Sequence, residues 1–127
     1  KINAIVTPSG NALERAKEAD NALKKGELWG KLHGVPITVK DTWETAGIRT
    51  TSSFKPLKKY IPEQNAVIVQ KMLDAGAIIL GKTNMPMLAG DVQTNSPIFG
   101  KSNNPWDVSR TTGGSTGGGA AAVSGRL

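Results

Sequence analysis

An α/β fold is predicted for this chain by three features of its sequence. Val35, Ile37 and Val39 alternate with Pro36, Thr38 and Lys40, the period of a strand that buries one face. An apolar helical segment running from Asn65 to Ala75 leads directly into the short apolar run Ala77-Ile78-Ile79-Leu80. Strand, helix and strand in that order favour parallel pairing of the two strands. Finally, Gly113-Gly114-Ser115-Thr116-Gly117-Gly118-Gly119 runs into Ala120-Ala121-Ala122-Val123, a glycine-rich loop entering good helix material.

Taken in order, Ile2-Asn3-Ala4-Ile5-Val6-Thr7 reads as a first strand. Gly10-Asn11 opens a helix to about Lys25, with Leu13, Ala16 and Ala19 along its inner stripe and Gly26 ending it. The second strand is 35–40. From Ala46 to Pro62 the chain is polar and irregular, with Pro56 and Pro62 against regular structure. Asn65 is placed to cap the next helix, Val67, Ile68, Met72 and Leu73 to face inward, and Gly76 to close it. Strand 77–80 follows. Beyond Lys82 lies a long loop-rich stretch containing Pro86, Gly90, Pro97 and Pro105, uncommon unless it lines a site. A last helix is expected to start near Gly119.

Composition narrows the function classes. A length of 127 residues, 38% hydrophobic and 20% charged, suits one globular domain. The first residue is Lys1 rather than Met and the chain opens on a strand, so a piece of a larger protein is expected. Without cysteine there is no disulfide framework, thiol chemistry or Cys-based metal site, and a single histidine leaves little for zinc. The net charge of +6 comes from 16 Lys and Arg scattered from Lys1 to Arg126, densest only at Lys55, Lys58 and Lys59. A nucleic-acid site would show a focused basic patch with aromatic partners, so a solvated surface is the better reading. No apolar run approaches the ~20 residues needed to cross a bilayer. No signal peptide is visible, and a cytoplasmic protein without membrane contact is expected.

The glycine-rich segment either cradles an anion or displays a hydroxyl. A phosphate loop would need a Lys after the glycines, and a dinucleotide turn a strand directly before them. Neither is present, because Ser102-Asn103-Asn104-Pro105-Trp106-Asp107 is loop chemistry. A displayed hydroxyl needs a base. His33 is the sole histidine and supports no Ser-His-Asp triad, whereas Lys40 ends a hydrophobic strand, where desolvation lowers a lysine pKa toward neutrality.

Four blocks then combine: Leu32 through Asp41, Ala75 through Asn84, Phe99-Gly100 through Asn104-Pro105-Trp106-Asp107, and Gly113 through Gly118. In order and spacing they resemble the amidase signature family, and the match takes in nearly the whole chain. The resemblance implies a three-layer α/β/α domain around a large mixed sheet, of which residues 1–127 make one incomplete part. It implies amide hydrolysis by a Ser-Ser-Lys triad without a cofactor or metal. Lys40 matches the family's lysine, and Ser115, after a cis peptide from Gly114, matches its bridging serine. The family's nucleophilic serine sits in a downstream D-x-G-G-S motif that these residues do not contain, so the piece alone is expected to be inactive. Thr116 stands where the family commonly has a second serine and keeps a hydroxyl there.

The stretch after Lys82 borders the family's acyl pocket. Met85, Met87 and Leu88 would give apolar contact there, with Ala89 and Gly90 leaving room. Substrate contacts are thus expected at Met85, Ala89, Gly90 and Thr116. Several members, including the A-type component of the tRNA-dependent amidotransferase, carry an acidic residue where this chain has Met85, which argues against that subtype. The expected partners are a small-molecule amide and the remaining C-terminal part of the same enzyme, with a homodimer compatible. Rival readings are an anion-binding or interaction module without catalysis, and an amidotransferase A-type subunit.

Overall fold

A computed structural model describes residues 2–126. Its central sheet has β1 (Ile5–Pro8), β2 (Pro36–Lys40) and β3 (Ile78–Thr83) in the order β1-β3-β2. β2 runs parallel to β3 and β1 antiparallel, so the sheet is mixed. The expected parallel pairing of strand, helix and strand is present. Register sets Val39 beside Lys82 and Lys40 beside Thr83, which separates the two lysines onto alternate faces.

The helices are α1 (Ala12–Lys24), α2 (Val67–Asp74) and α3 (Gly117–Ser124). One apolar cluster joins Val39 and Ile79 of the sheet to Val69 of α2, with Ile37, Met72 and Leu73 packed against it. A second joins Ala121 and Ala122 of α3 to Ala4, with Ile2 alongside. The sheet therefore separates α2 from α3, the beginning of a layered α/β/α arrangement. A small hairpin of β4 (Asn95–Ser96) and β5 (Gly100–Lys101) completes the named elements.

Several expectations are corrected by this packing. The first strand starts at Ile5, not Ile2, because Asn3 takes a left-handed φ of 58° and donates its side-chain amide to Phe99 O and Lys101 O. In α1 Leu13 is 70% exposed, while Ala19 and Ala22 are buried. Six residues of helix rotate about 600°, so Leu13 points about 120° away from Ala19 and cannot share its stripe. In α2 Val67 is 73% exposed and Ile68 is exposed too, whereas Val69 is fully buried. The inner face is Ala66, Val69, Met72 and Leu73, one residue out of phase with the expected pair at the start.

Asn65 does not cap α2; its side-chain oxygen accepts the Ala46 N–H and its amide donates to Gln70. Gly76 does close the helix, at φ 95°, and a Cβ there would fall 2.8 Å from His33 Cα. His33 is held structurally, taking the Trp29 N–H on Nδ1 and facing Ala19 O with Nε2. Among the described residues no helix is long and apolar enough to cross a membrane.

Candidate active site

Lys40 is the last residue of β2, on the face covered by the loop into α3. Its Nζ lies 2.7 Å from Ser115 Oγ and 3.0 Å from Thr116 Oγ1. Lys40 and Ser115 are 75 positions apart, so tertiary structure alone brings them together. The Gly114–Ser115 peptide is cis, the arrangement that the resemblance implies. Burial lowers the Lys40 pKa from the ordinary lysine value. Among the described residues Lys40 has no carboxylate at ion-pair distance, the ion pair seen there being Arg110 with Asp107. An amine with a lowered pKa set against two hydroxyls can exchange a proton with them more readily than an ordinary lysine.

The glycines around Ser115 answer more to lack of space than to left-handed φ angles. Of its five glycines only Gly113 has a left-handed φ, 74°. A Cβ on Gly118 would fall 2.4 Å from Asn84 O and 2.5 Å from Asn84 N, and one on Gly114 would fall 2.7 Å from Val92 C. α3 starts at Gly117, two residues before the expected start; Gly117 lies against Thr94 and Thr112, and Gly118 against Asn84 just past β3.

Of the residues expected to touch substrate, Thr116 is exposed beside Lys40, and its hydroxyl is engaged by the ammonium. Met85 departs from expectation. It is fully buried, and its carbonyl accepts the Ser53 hydroxyl at 2.6 Å, so its side chain has no surface to offer a ligand. Ala89 and Gly90 are exposed at the end of a 3-10 turn over Met87–Ala89, just before the 91–93 segment that lies against Gly114. A separate cleft of about 370 Å³, lined by Ser9, Asn11, Arg15, Ile48, Ile78 and Ile79 among others, includes none of the expected site residues. Among the described residues no group of three or more His, Asp or Glu is placed to hold a metal ion.

Sequence reading missed the polar cluster on the opposite face. Lys82 is fully buried and donates to Trp43 O, to Thr45 Oγ1 at 3.0 Å and to Thr50 Oγ1 at 2.8 Å. Burial pulls its pKa down to about 8, against the opposing pull of the Asp41 and Glu44 charges. Asp41 is fully buried as well, and its Oδ2 accepts both the hydroxyl and the N–H of Thr51. Desolvation raises its pKa, while Thr51 and the Lys82 charge pull the other way. Together these side chains pin the loop that leaves the Lys40 strand. The available signal was a lysine inside an otherwise buried strand, where a charge needs several partners.

The family model for amidases matches residues 1–127. The chain belongs to the amidase family. Its curated relatives include the A-type component of the glutamyl-tRNA(Gln) amidotransferase of Thermoanaerobacter pseudethanolicus, 48% identical over 124 residues, which are 97% of this chain and 25% of that protein. Among solved structures it is similar to the peptide amidase of Stenotrophomonas maltophilia, with TM-score 0.90, 33% identity, and 96% of this chain matched to 26% of that one. A 6-aminohexanoate cyclic dimer hydrolase matches with TM-score 0.83 and 37% identity, over 98% of this chain and 25% of that chain. The chain thus spans about a quarter of the length of these amidase-family relatives.

Proposed function

We propose that residues 1–127 carry the base and the proton relay of an amide hydrolase, as part of one larger domain. The observation that carries this reading is the 2.7 Å contact between Lys40 Nζ and Ser115 Oγ on a lysine whose pKa is lowered by burial. In its neutral form Lys40 accepts the Ser115 proton, while Ser115 accepts one from a nucleophilic serine elsewhere in the complete protein. That serine's oxygen attacks the amide carbonyl and the C–O bond forms. The protons return along the same path to the departing amine as the C–N bond breaks. Water then releases the acyl group through the same relay. Backbone N–H groups beside the nucleophile would hold the oxyanion. The reaction class is acyl transfer from a linear amide to water.

The test is amide hydrolysis by the complete protein and by its Lys40→Ala and Ser115→Ala variants, with folding followed by circular dichroism. Loss of turnover with retained fold is expected in both. Near-normal turnover in either removes that residue from the mechanism. Purified residues 1–127 should hydrolyse no amide, and Lys40-dependent turnover by them would place the nucleophile within this chain.

A second reading is favoured by the 48% identity to an amidotransferase component. The absence of an acidic residue at Met85 weighs little against it, since that side chain is buried and reports packing. In that case the same relay would release ammonia from an amide donor for transfer to an acylated acceptor, within an assembly of several different proteins. Amide-donor hydrolysis that rises when the partner proteins and a glutamyl-tRNA acceptor are added would select this reading. Unchanged hydrolysis of simple amides would select the first.

A further inference from the structure

Ser115 sits in a turn whose two ends must be fixed if its hydroxyl is to stay 2.7 Å from Lys40 Nζ. One side chain does this for both ends. Thr94 is 1% exposed, and its Oγ1 donates to Gly113 O at 2.8 Å while accepting the Gly117 N–H at 3.1 Å. Gly113 and Gly117 stand two residues before and two residues after Ser115. A single oxygen therefore closes the turn around the relay serine. Thr94 is itself anchored, its carbonyl accepting the Ser102 N–H at 2.9 Å just before β4.

The fit is close on the other side. A Cβ on Gly117 would fall 2.3 Å from Thr94 Oγ1 and 3.0 Å from Thr94 Cβ, so the glycine and the threonine are matched in size. Thr112 Oγ1 also reaches Gly113 O, but at 3.4 Å, and it makes no bond to Gly117 that would close the turn. Gly117 is the first residue of α3, where helical N–H groups have no partner within the helix, and it is buried. Without the Thr94 hydroxyl this N–H would have to move to find one.

We propose that Thr94 is a positioning residue for Ser115, acting through the Gly113–Gly117 turn and touching neither substrate nor Lys40. This rests on the relay reading of Lys40 and Ser115. Misplacing a reacting group by about 1 Å costs on the order of 100-fold in rate. Thr94→Val, which keeps the shape and removes both hydrogen bonds, should lower kcat by about 10- to 100-fold and change KM little. Thr94→Ser keeps the oxygen and should restore kcat to within about threefold of the parent.

The experiment measures kcat, KM and the unfolding midpoint for the complete protein and for Thr94→Val, Thr94→Ser, Thr94→Ala, Lys40→Ala and Val69→Ala. Val69→Ala loosens the opposite face of the sheet and controls for general destabilisation; it should lower the midpoint and leave kcat unchanged below that temperature. If Thr94→Val fails to fold, Thr94→Ala carries the same comparison against Thr94→Ser. Equal kcat in the hydroxyl-free and the Ser variants overturns the proposal, as does a kcat loss no larger than that of Val69→Ala. Turnover retained in Lys40→Ala instead overturns the relay reading on which the proposal stands.

Discussion

Lys40 and Lys82 stand on neighbouring strands, one register step apart, and burial lowers the pKa of both. Their surroundings differ. Lys40 is only partly buried and meets two hydroxyls on a turn, Ser115 and Thr116, with solvent nearby. Lys82 is sealed in, held by a carbonyl and two threonine hydroxyls and drawn toward the Asp41 charge. A lowered pKa marks both residues, so it cannot by itself mark a base. Access separates them: Lys40 meets two hydroxyls at a partly exposed turn, whereas the Lys82 ammonium donates to buried acceptors that anchor a loop. On the proposed relay, the two faces of one small sheet divide chemistry from support.

The sharpest way to break this division is to exchange the outcomes. In the complete protein, Lys40→Ala should lower kcat/KM by about 10³-fold, the range of a lost general base, and leave the unfolding midpoint within a degree or two. Lys82→Met should do the reverse. It removes the donor to three acceptors in a buried polar cluster, so stability should fall by about 3 kcal/mol in denaturant titration. Activity measured well below the midpoint should stay within a few-fold of the parent. A catalytic collapse in Lys82→Met with stability intact would reverse the assignment of the two lysines.

The same division predicts a pH effect on stability. Lys82 has a folded pKa of about 8 against 10.5 for an unpaired lysine. The depressed value means that the folded state releases this proton before the unfolded state does. The penalty of burying the charge is therefore fully present below about pH 8 and is relieved as pH rises toward 10.5. Stability relative to Lys82→Met should rise by about 2 kcal/mol between pH 8 and 10, given 1.36 kcal/mol per pKa unit. A difference that is flat with pH would show that Lys82 is buried with its charge fully compensated. For Lys40 the lowered pKa places the rising limb of the pH–rate profile below 10.5, and that limb should vanish in Lys40→Ala.

Much of the fold was legible because periodicity is a local signal. Alternation through Val35, Ile37 and Val39 and the short run from Ala77 to Leu80 gave the two parallel strands, and the Lys40 position at a strand end followed from the first. Helix faces were less legible. Ala residues carry the inner stripe of α1, and small side chains weigh little beside an exposed Leu13 in a pattern search. A glycine run by itself suggests conformational freedom, but Gly117 and Gly118 supply absent volume against Thr94 and Asn84. That reason depends on neighbours far away in sequence. Thr94 was invisible for the same cause, since it acts through hydrogen bonds to backbone about 20 residues away, and of the Lys82 cluster only the lysine in a buried strand, not its partners, could be read locally.

The smallest predicted effect tests which hydroxyl beside Lys40 is the relay. Ser115 Oγ and Thr116 Oγ1 lie at 2.7 and 3.0 Å from the same nitrogen, so distance alone separates them weakly. Burial separates them more clearly, Ser115 being half-buried and Thr116 exposed. A hydrogen bond at an exposed site contributes about 1 kcal/mol, because water replaces the lost partner. Thr116→Ala should therefore lower kcat/KM by no more than about fivefold, and Thr116→Ser should be close to the parent. Ser115→Ala, by contrast, breaks the proton path and should approach the loss expected for Lys40→Ala. Comparing the two alanine variants in one assay decides the point. If Thr116→Ala were as damaging as Ser115→Ala, the relay would run through both hydroxyls. If it were far more damaging, Thr116 would replace Ser115 as the residue that carries the proton.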